Sequence, residues 1–220
     1  MTLARDKLVR SKVASGSETP SRTSWSHFFV KDAAKHPLIL AAEGHIEALF
    51  GCAALRGPHK PLAKIEALQV IKYHKGEFYH EHYDNRADSP LTRAATIIVY
   101  LCDTESGGAT AFPRAVLAGQ ASGSYAAAPA GASGALPGFS SGGGGGEGLG
   151  GSGGGWRLPP KVDVGPRGVG IKVFPVRGRA VVFWSKRPDG NEDPNSIHAA
   201  DTVERGEKWI ATRWMKDDAQ

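Results

Sequence analysis

Histidine and aspartate residues at two distant points of the chain have the types and the spacing of a metal-binding site. His82 and Asp84 are separated by one residue and follow an apolar run, residues 67–73, whose β-branched and aromatic content predicts a strand. In an extended backbone, residues i and i+2 point to the same face, so the two side chains could offer an imidazole nitrogen and a carboxylate oxygen to one ion. His198 is the best candidate for a third ligand.

Two histidines and one carboxylate on one face of a metal ion leave its other coordination positions open, which is the arrangement of non-haem Fe(II) sites. His80 is a rival ligand, because under the same alternation it shares a face with His82. With His80 as the third ligand the site would suit another metal, and Asp84 would orient a ligand instead of binding the ion. A His-x-Asp pair is a weak signal by itself, so other residues must decide between these possibilities.

Lys208 lies ten residues after His198 and strengthens the hypothesis of a metal site. We expect it to begin a strand that runs antiparallel beside the strand of His198. An ammonium there could bind the far carboxylate of a dicarboxylic co-substrate chelated to the metal, since it is a compact charge with three donors. The alternative is a solvated lysine on an edge strand, and Lys208 considered alone would favour that alternative.

Four separated segments, in the right order, resemble the prolyl 4-hydroxylase family, and most closely its short plant and green-algal type. Residues 73–84, YHKGEFYHEHYD, match the pattern Y-x-x-G-x-x-Y-x-x-H-x-D. The other segments are GGATAFP at 107–113, PDGNEDPNSIH at 188–198 and RGEKWIATRW at 205–214. The resemblance covers nearly the whole chain apart from a glycine-rich stretch, and the order of the four segments makes it specific.

The resemblance implies hydroxylation of peptidyl proline at C4 in Pro-rich proteins (procollagen-proline 4-dioxygenase-type activity), with succinate and CO2 as co-products. It implies Fe(II), 2-oxoglutarate and O2 as the reacting set, with ascorbate keeping the iron reduced. His82, Asp84 and His198 would bind the iron, so Asp84 rather than His80 would complete the ligand set. Lys208 would pair with the distal carboxylate of 2-oxoglutarate.

The resemblance also assigns residues around the co-substrate and the substrate. Tyr73 and Thr110 would form hydrogen bonds near 2-oxoglutarate. Arg93 and Trp214 would lie at the peptide groove or beside the metal, and Tyr79 would line the same pocket. A proline-rich polypeptide suits such a groove because its polyproline II conformation is already extended and loses little entropy on docking.

The elements that must position these residues are mostly short strands, predicted at 67–73, 94–101, 170–174, 180–184 and 208–214. A helical pattern extends from about residue 25 to Gly51, and Pro37 suits a first helical position. Many short strands and one helical region favour a sandwich or barrel. The resemblance specifies a mainly β fold with flanking helices (α+β) around a double-stranded β-helix (jelly-roll) core.

The chain of 220 residues can bury one substantial core, so we expect a single catalytic domain over residues 1–220. Sixteen of its 29 glycines lie between Gly119 and Gly155, mixed with alanine and serine. Such a segment cannot bury enough apolar surface to offset the entropy lost on ordering. We therefore predict a disordered insertion at about 116–160.

Composition narrows the possible partners. The formal net charge is +5, but Lys and Arg are scattered without a run of five, so we predict no nucleic-acid partner. The chain has no stretch of 18 apolar residues and no signal-type segment at its start, so we expect no direct membrane contact by this chain. These observations leave the localisation unknown, whereas the resemblance implies the endoplasmic reticulum and the secretory pathway.

Two alternative functions remain open. The first keeps the 2-oxoglutarate oxygenase chemistry and changes the substrate, because neither the triad nor Lys208 identifies what is oxidised. The second is a catalytically silent peptide-binding module that has kept the groove. The presence of all three ligands and of Lys208 argues against the second alternative.

Overall fold

The computed structural model describes residues 1–13, 16–51, 59, 62–85, 93–116 and 160–217. Its helices are α1 (Thr2–Arg5) and α2 (Pro37–Gly51), with 3₁₀ turns at Lys31–Lys35, Pro166–Gly168 and Pro194–Ser196. Its strands are β1 (Val9–Arg10), β2 (Trp25–Phe28), β3 (Leu62–Ile65), β4 (Gln69–Tyr73), β5 (Tyr79–His82), β6 (Arg93–Tyr100), β7 (Ser106–Gly107), β8 (Thr110–Val116), β9 (Val162–Val164), β10 (Val169–Val173), β11 (Ala180–Trp184), β12 (His198–Ala200), β13 (Val203–Arg205) and β14 (Lys208–Asp217).

The strands form two facing antiparallel sheets. The larger sheet has the order β1-β2-β4-β14-β6-β11, and β3 also pairs with β14. The smaller sheet has the order β5-β12-β8-β10-β9, and β13 pairs with β7 in a separate ribbon. An apolar cluster joins Ile71, Tyr100 and Ile210 of the larger sheet to Val173 and Ala200 of the smaller sheet. The mainly β, jelly-roll fold predicted from the sequence is confirmed.

Strand β14 shows how side-chain alternation gives the larger sheet two different faces. Trp209, Ala211 and Met215 belong to the apolar cluster beneath α2. The alternate residues line a cavity on the opposite face: Lys208, Ile210, Thr212 and Trp214. Because successive side chains of a strand point to opposite faces, one strand contributes both to the core that holds the helix and to the cavity.

Helix α2 covers the outer face of the larger sheet. It begins at Pro37, as predicted, because a fixed φ and a missing N–H suit the first helical turn. It ends at Gly51, also as predicted. Ile39, Ile46 and Phe50 are buried in the cluster formed with the larger sheet, so this helix contributes packing and lies away from the cavity.

The helical pattern predicted from residue 25 is wrong for its first part. Trp25–Phe28 forms β2, which pairs antiparallel with β4, and Ser26 lies opposite Ile71. The backbone hydrogen bonds of this ladder outweigh the weak helical spacing of the segment. The helix itself begins only after the 3₁₀ turn Lys31–Lys35.

The predicted position of Lys208 beside the strand of His198 is also wrong. Strand β14 pairs with β3, β4 and β6 in the larger sheet, whereas β12 pairs with β5 and β8 in the smaller sheet. Lys208 therefore reaches the cavity from the sheet that faces His198. Ten residues of separation are enough for the chain to cross from one sheet to the other.

Three further predictions concern organisation. The glycine-rich insertion predicted at about 116–160 lies outside the described residues, apart from its two ends. In the part of the chain that the structure describes, neither helix has the length and apolar character needed to cross a bilayer. The organisation of residues 1–220 as one domain stays a prediction.

Ile46→Ala is expected to lower the free energy of unfolding by about 2–5 kcal/mol, because it leaves a cavity between α2 and the larger sheet. Ile46 is 6% exposed, whereas Leu40 on the same helix is 55% exposed. The matched control Leu40→Ala should therefore change this free energy by less than about 0.5 kcal/mol. Urea unfolding followed by circular dichroism measures both variants, and equal losses would contradict the packing of α2.

Candidate active site

The pairing of β12 with β5 places two imidazoles side by side. His198 lies opposite His82 in the register, and their ring centroids are 4.2 Å apart. Asp84 lies in a bend just after β5, with Oδ1 4.0 Å from Nε2 of His82 and Oδ2 3.8 Å from Nε2 of His198. The ligand atoms of these three residues all lie within 4.8 Å of one another, so one ion could contact all three.

A bulge in β5 explains why His80 lies outside this cluster. Between Tyr79 and His82, β5 contains one more residue than the facing part of β12. An extra residue breaks the alternation of side chains, and Tyr79 and His82 consequently share a face, with ring centroids 3.6 Å apart. The side chain of His80 is exposed instead. Simple i, i+2 alternation therefore fails here, and Asp84 reaches the cluster from a bend rather than from an extended strand.

Main-chain oxygens orient both imidazoles. Nδ1 of His82 lies 2.8 Å from the carbonyl oxygen of His80, and Nδ1 of His198 lies 2.9 Å from the carbonyl oxygen of Ser196. An Nδ1–H that donates to these carbonyls leaves Nε2, the atom nearer Asp84, as the metal-binding atom. A hydrogen bond to a main-chain carbonyl thus directs Nε2 of each imidazole toward Asp84.

The protonation states of the cluster also suit a metal. Burial lowers the pKa of His82, and the neighbouring His198 lowers it further. Burial by itself would raise the pKa of Asp84, but His198 and His82 outweigh that effect and hold this pKa below its usual value. Thr96 donates a hydrogen bond of 2.6 Å to Oδ2 of Asp84. Neutral imidazoles and an ionised carboxylate are the forms that bind metal, so this donor set fits Fe(II).

Lys208 is fully buried on the facing sheet and lines the same cavity. Its Nζ lies 3.5 Å from Oγ1 of Thr110 and 5.3 Å from the ring centroid of Tyr73, and Tyr100 donates a hydrogen bond of 2.7 Å to the same Thr110 oxygen. Burial lowers the pKa of Lys208 to about 7, although Asp201 raises it. No carboxylate among the described residues forms an ion pair with this ammonium, so an entering anion would become its partner.

The residues predicted to bind substrate lie in the same cavity, whose volume is about 800 Å³. The guanidinium carbon of Arg93 is 3.9 Å from the ring centroid of Trp214. Glu66 accepts two hydrogen bonds from Arg93, at 2.8 and 3.1 Å, and holds it in place. Tyr79 stacks on His82. All the site residues predicted from the sequence therefore line one cavity: Tyr73, Tyr79, His82, Asp84, Arg93, Thr110, His198, Lys208 and Trp214.

Several polar residues of the cavity were not assigned from the sequence. Thr96 holds Asp84, and Gln69 and Thr212 lie opposite each other on β4 and β14. Oε1 of Gln69 and Oγ1 of Thr212 are buried and, within the described residues, without a hydrogen-bond partner, as is Nε1 of Trp214. A polar residue within a largely apolar strand is the signal that could have revealed the three unassigned ones. Arg22 also lines the cavity, but no motif marks its segment.

Two solved structures share this fold. The viral collagen prolyl hydroxylase of Paramecium Bursaria Chlorella virus-1, solved as a 2OG complex, superposes with a TM-score of 0.56 at 21% identity, over 90% of this chain and 80% of that one. A prolyl hydroxylase from Trichoplax adhaerens, in complex with a peptide fragment of the hypoxia inducible factor oxygen degradation domain, gives a TM-score of 0.60 at 14% identity, over 100% and 78% of the two chains. At these identities the likeness supports the fold alone.

Sequence comparison identifies the family. Residues 68–216 match the 2OG-Fe(II) oxygenase superfamily. Prolyl 4-hydroxylase 1 of Arabidopsis thaliana is 31% identical over 96% of this chain and 59% of its own length. The probable prolyl 4-hydroxylases 10 and 3 of the same plant are 32% and 34% identical, over 71% and 68% of this chain. The chain spans only 44% and 42% of the lengths of those two relatives. The chain belongs to the 2OG-Fe(II) oxygenase superfamily and, within it, to the prolyl 4-hydroxylase family of 2-oxoglutarate-dependent dioxygenases.

Proposed function

We propose that this chain hydroxylates peptidyl proline at C4 in Pro-rich proteins. The observation that carries the proposal is a single cavity of about 800 Å³ that holds the cluster of His82, Asp84 and His198, the buried ammonium of Lys208 and a groove of polar and aromatic side chains. The overall reaction would consume peptidyl proline, 2-oxoglutarate and O2 and yield 4-hydroxyproline, succinate and CO2. One oxygen atom of O2 enters the proline and the other enters succinate.

The metal-binding roles follow from the orientation of the cluster. His82 and His198 would bind Fe(II) through Nε2, and Asp84 would bind it through a carboxylate oxygen. When bound, the iron and 2-oxoglutarate supply the activation of oxygen and the oxidation of the proline carbon. The protein contributes fixed ligand positions, because main-chain carbonyls hold both imidazoles and Thr96 holds the carboxylate.

The co-substrate roles follow from the uncompensated charge of Lys208. A buried ammonium without a counter-ion is unfavourable, and the distal carboxylate of 2-oxoglutarate would pair with it through charge-assisted hydrogen bonds. Thr110 would hydrogen-bond beside this pair. Burial raises the pKa of Tyr73 to about 12, so its phenol stays protonated and able to donate a hydrogen bond to the same carboxylate.

A polyproline segment suits the rest of the cavity. Proline has no N–H, so such a backbone presents carbonyl acceptors almost alone. The groove offers donors at Nε1 of Trp214 and Oγ1 of Thr212 that have no partner among the described residues. It also offers the aromatic rings of Trp214 and Phe28, whose centroids are 6.2 Å apart. Leaving such buried polar atoms without partners costs about 1–3 kcal/mol each, and substrate carbonyls would remove that cost.

The names of the relatives support a prolyl substrate, and the Trichoplax adhaerens enzyme was solved with a peptide. We extend the proposal in three respects that rest on family resemblance. Ascorbate would keep the iron as Fe(II), and the protein would act in the endoplasmic reticulum or elsewhere in the secretory pathway. Residues 1–220 would form one catalytic domain. A different substrate for the same oxygenase chemistry remains the second candidate, because the cavity is larger than a single proline residue needs.

The iron-loaded protein is expected to form succinate and to add one oxygen atom to proline in a Pro-rich peptide when 2-oxoglutarate and ascorbate are supplied. His82→Ala should lower both products at least about 100-fold, because it removes a metal ligand. His80→Ala is the matched control, since this exposed side chain is two residues away and outside the cluster. Succinate and peptide mass are followed in the same reaction.

The two products separate the candidate functions. Succinate formed without oxidation of any proline peptide would keep the oxygenase chemistry and reject Pro-rich peptides as substrates. An iron-loaded protein that binds such peptides and forms no succinate would instead establish a silent binding module.

Lys208→Met is expected to abolish 2-oxoglutarate binding and to stabilise the fold by about 1–4 kcal/mol, because it replaces an uncompensated buried charge by an apolar side chain. Lys72→Met is the matched control. Lys72 is buried on the other face of the larger sheet, where Glu207 pairs with it at 2.6 Å, so its loss should retain binding and bring no gain in stability. Calorimetric titration and urea unfolding measure the two properties. Retained binding in Lys208→Met would reject the assigned role.

The affinity for 2-oxoglutarate should fall as the pH rises above about 7. Binding requires the protonated ammonium of Lys208, whose pKa in the free site is lowered to about 7 by burial. Above that pH the site must take up a proton to bind, so the apparent Kd should rise about tenfold per pH unit. Stability of the free protein should rise over the same range, because the unfolded chain retains the proton up to its ordinary lysine pKa. Calorimetry in buffers of different ionisation enthalpy measures the uptake, and an unchanged proton count from pH 6 to 9 would contradict this prediction.

A further inference from the structure

A buried guanidinium lies at the edge of the smaller sheet beside the metal cluster. Arg22 is 9% exposed and lines the cavity. It forms a β-bridge with Tyr79, and the N–H of His80 donates to the carbonyl oxygen of Ser21 at 2.9 Å, so this segment extends the sheet beyond β5. The guanidinium carbon lies 4.8 Å from the ring centroid of Tyr79, which in turn stacks on His82.

The partners of Arg22 are neutral. Its Nε donates to Oγ of Ser24 at 3.2 Å, and its Nη1 donates to the carbonyl oxygen of Lys12 at 3.1 Å. Across the described ranges, no carboxylate forms an ion pair with it. A charged side chain this deeply buried is normally paired, and the planar fork of a guanidinium matches a carboxylate. The cavity therefore offers an unfilled position for an anion.

The lining of the cavity is cationic overall. Among the described residues that line it, the cations are Lys7, Arg10, Lys12, Arg22, Arg93 and Lys208. The only carboxylate in the same lining is Asp84 of the metal cluster. Arg10 and Arg93 already pair with glutamates, whereas Lys7 and Lys12 line the cavity with exposed side chains. A charge of this sign raises the local concentration of an acidic ligand.

We propose that Arg22, with Lys12 and Lys7 further out, forms a carboxylate subsite, and that the substrate is a proline-containing peptide with Asp or Glu near the target proline. The inference rests on the proposed function, because it needs a peptide in this cavity. Arg22 anchors the main chain of Lys12, so the backbone that carries the Lys12 side chain is held beside the guanidinium. A peptide that leaves the metal cluster on this side would pass over both.

The position of Arg22 favours the substrate rather than 2-oxoglutarate as the owner of this carboxylate. Lys208, fully buried on the larger sheet, already supplies a cation for the co-substrate. Arg22 lies in the segment beyond the edge of β5, and the cationic set continues from it toward the exposed Lys12 and Lys7. An extended peptide can reach that region. A five-carbon dicarboxylate already has its two ends bound to the metal and to Lys208, so it has no carboxylate left for Arg22.

The test compares peptide pairs that differ only by Glu or Gln, placed at each position flanking the proline in turn, with the iron-loaded protein. At the preferred position, kcat/KM for the Glu peptide should exceed that for the Gln peptide roughly 10- to 100-fold. Arg22→Gln should bring this ratio close to one, and Arg22→Lys should restore part of it. Lys12→Glu should lower the ratio, while Lys31→Glu, an equal charge change at an exposed residue outside the cavity, should not.

Several results would overturn the subsite. The first is an equal kcat/KM for Glu and Gln peptides at every position, which would leave the prolyl hydroxylase function standing. The second is an Arg22→Gln variant that loses activity on both peptides with an unchanged ratio, since Arg22 would then have only a structural role. The third is an Arg22→Gln variant in which only the KM for 2-oxoglutarate changes. If no peptide is oxidised, the proposed function fails, and anisotropy measurements of Glu and Gln peptide binding still decide the subsite.

Discussion

The antiparallel register of β5 and β12 is the constraint on which the rest of the site depends. It sets His82 opposite His198, and the bulge in β5 turns Tyr79 to the same face. A slip of this register by one residue would send the side chains of a strand to its other face, and the ligand cluster would be lost. The other edge of β5 receives the segment of Arg22, so the cationic side of the cavity depends on the placement of β5 as well.

The larger sheet separates stability from chemistry. Its outer face packs Trp209 and Met215 against α2 in an apolar cluster. Its inner face holds the buried ammonium of Lys208 and the polar atoms of Gln69 and Thr212, which lack hydrogen-bond partners within the described part of the chain. Buried polar and charged groups without partners destabilise a fold and persist where a ligand needs them. Because side chains alternate, the same strands carry both faces. The apolar cluster of the outer face therefore offsets the free energy that the polar groups of the inner face cost.

The charged groups of the cavity differ in their burial and in their neighbours. The pKa of Asp84 is held below its usual value, and burial lowers the pKa of His82, so both groups favour the forms that bind a metal. Lys208 is fully buried and burial lowers its pKa, so its charge is sensitive to pH and to an entering anion. The guanidinium of Arg22 is a planar fork of donors, whereas the ammonium of Lys208 is a compact charge. A dicarboxylate and an acidic peptide would therefore meet cations of different character in different parts of one cavity.

The sequence by itself predicted a sandwich or barrel from its strand patterns, which are local properties. Its motifs, through their resemblance to a known family, implied the jelly-roll core and the residues that meet in the cavity. Strand β11 and the start of α2 at Pro37 were predictable for the same reason. The tertiary structure alone decided features that depend on pairing between distant strands. The bulge that excludes His80 and the placement of Lys208 on the opposite sheet belong to this group. The inward turn of Thr212 and the docking of Arg22 against β5 do too. Alternation tells which side chains share a face, but only the partner strand decides whether that face meets solvent, a helix or the cavity.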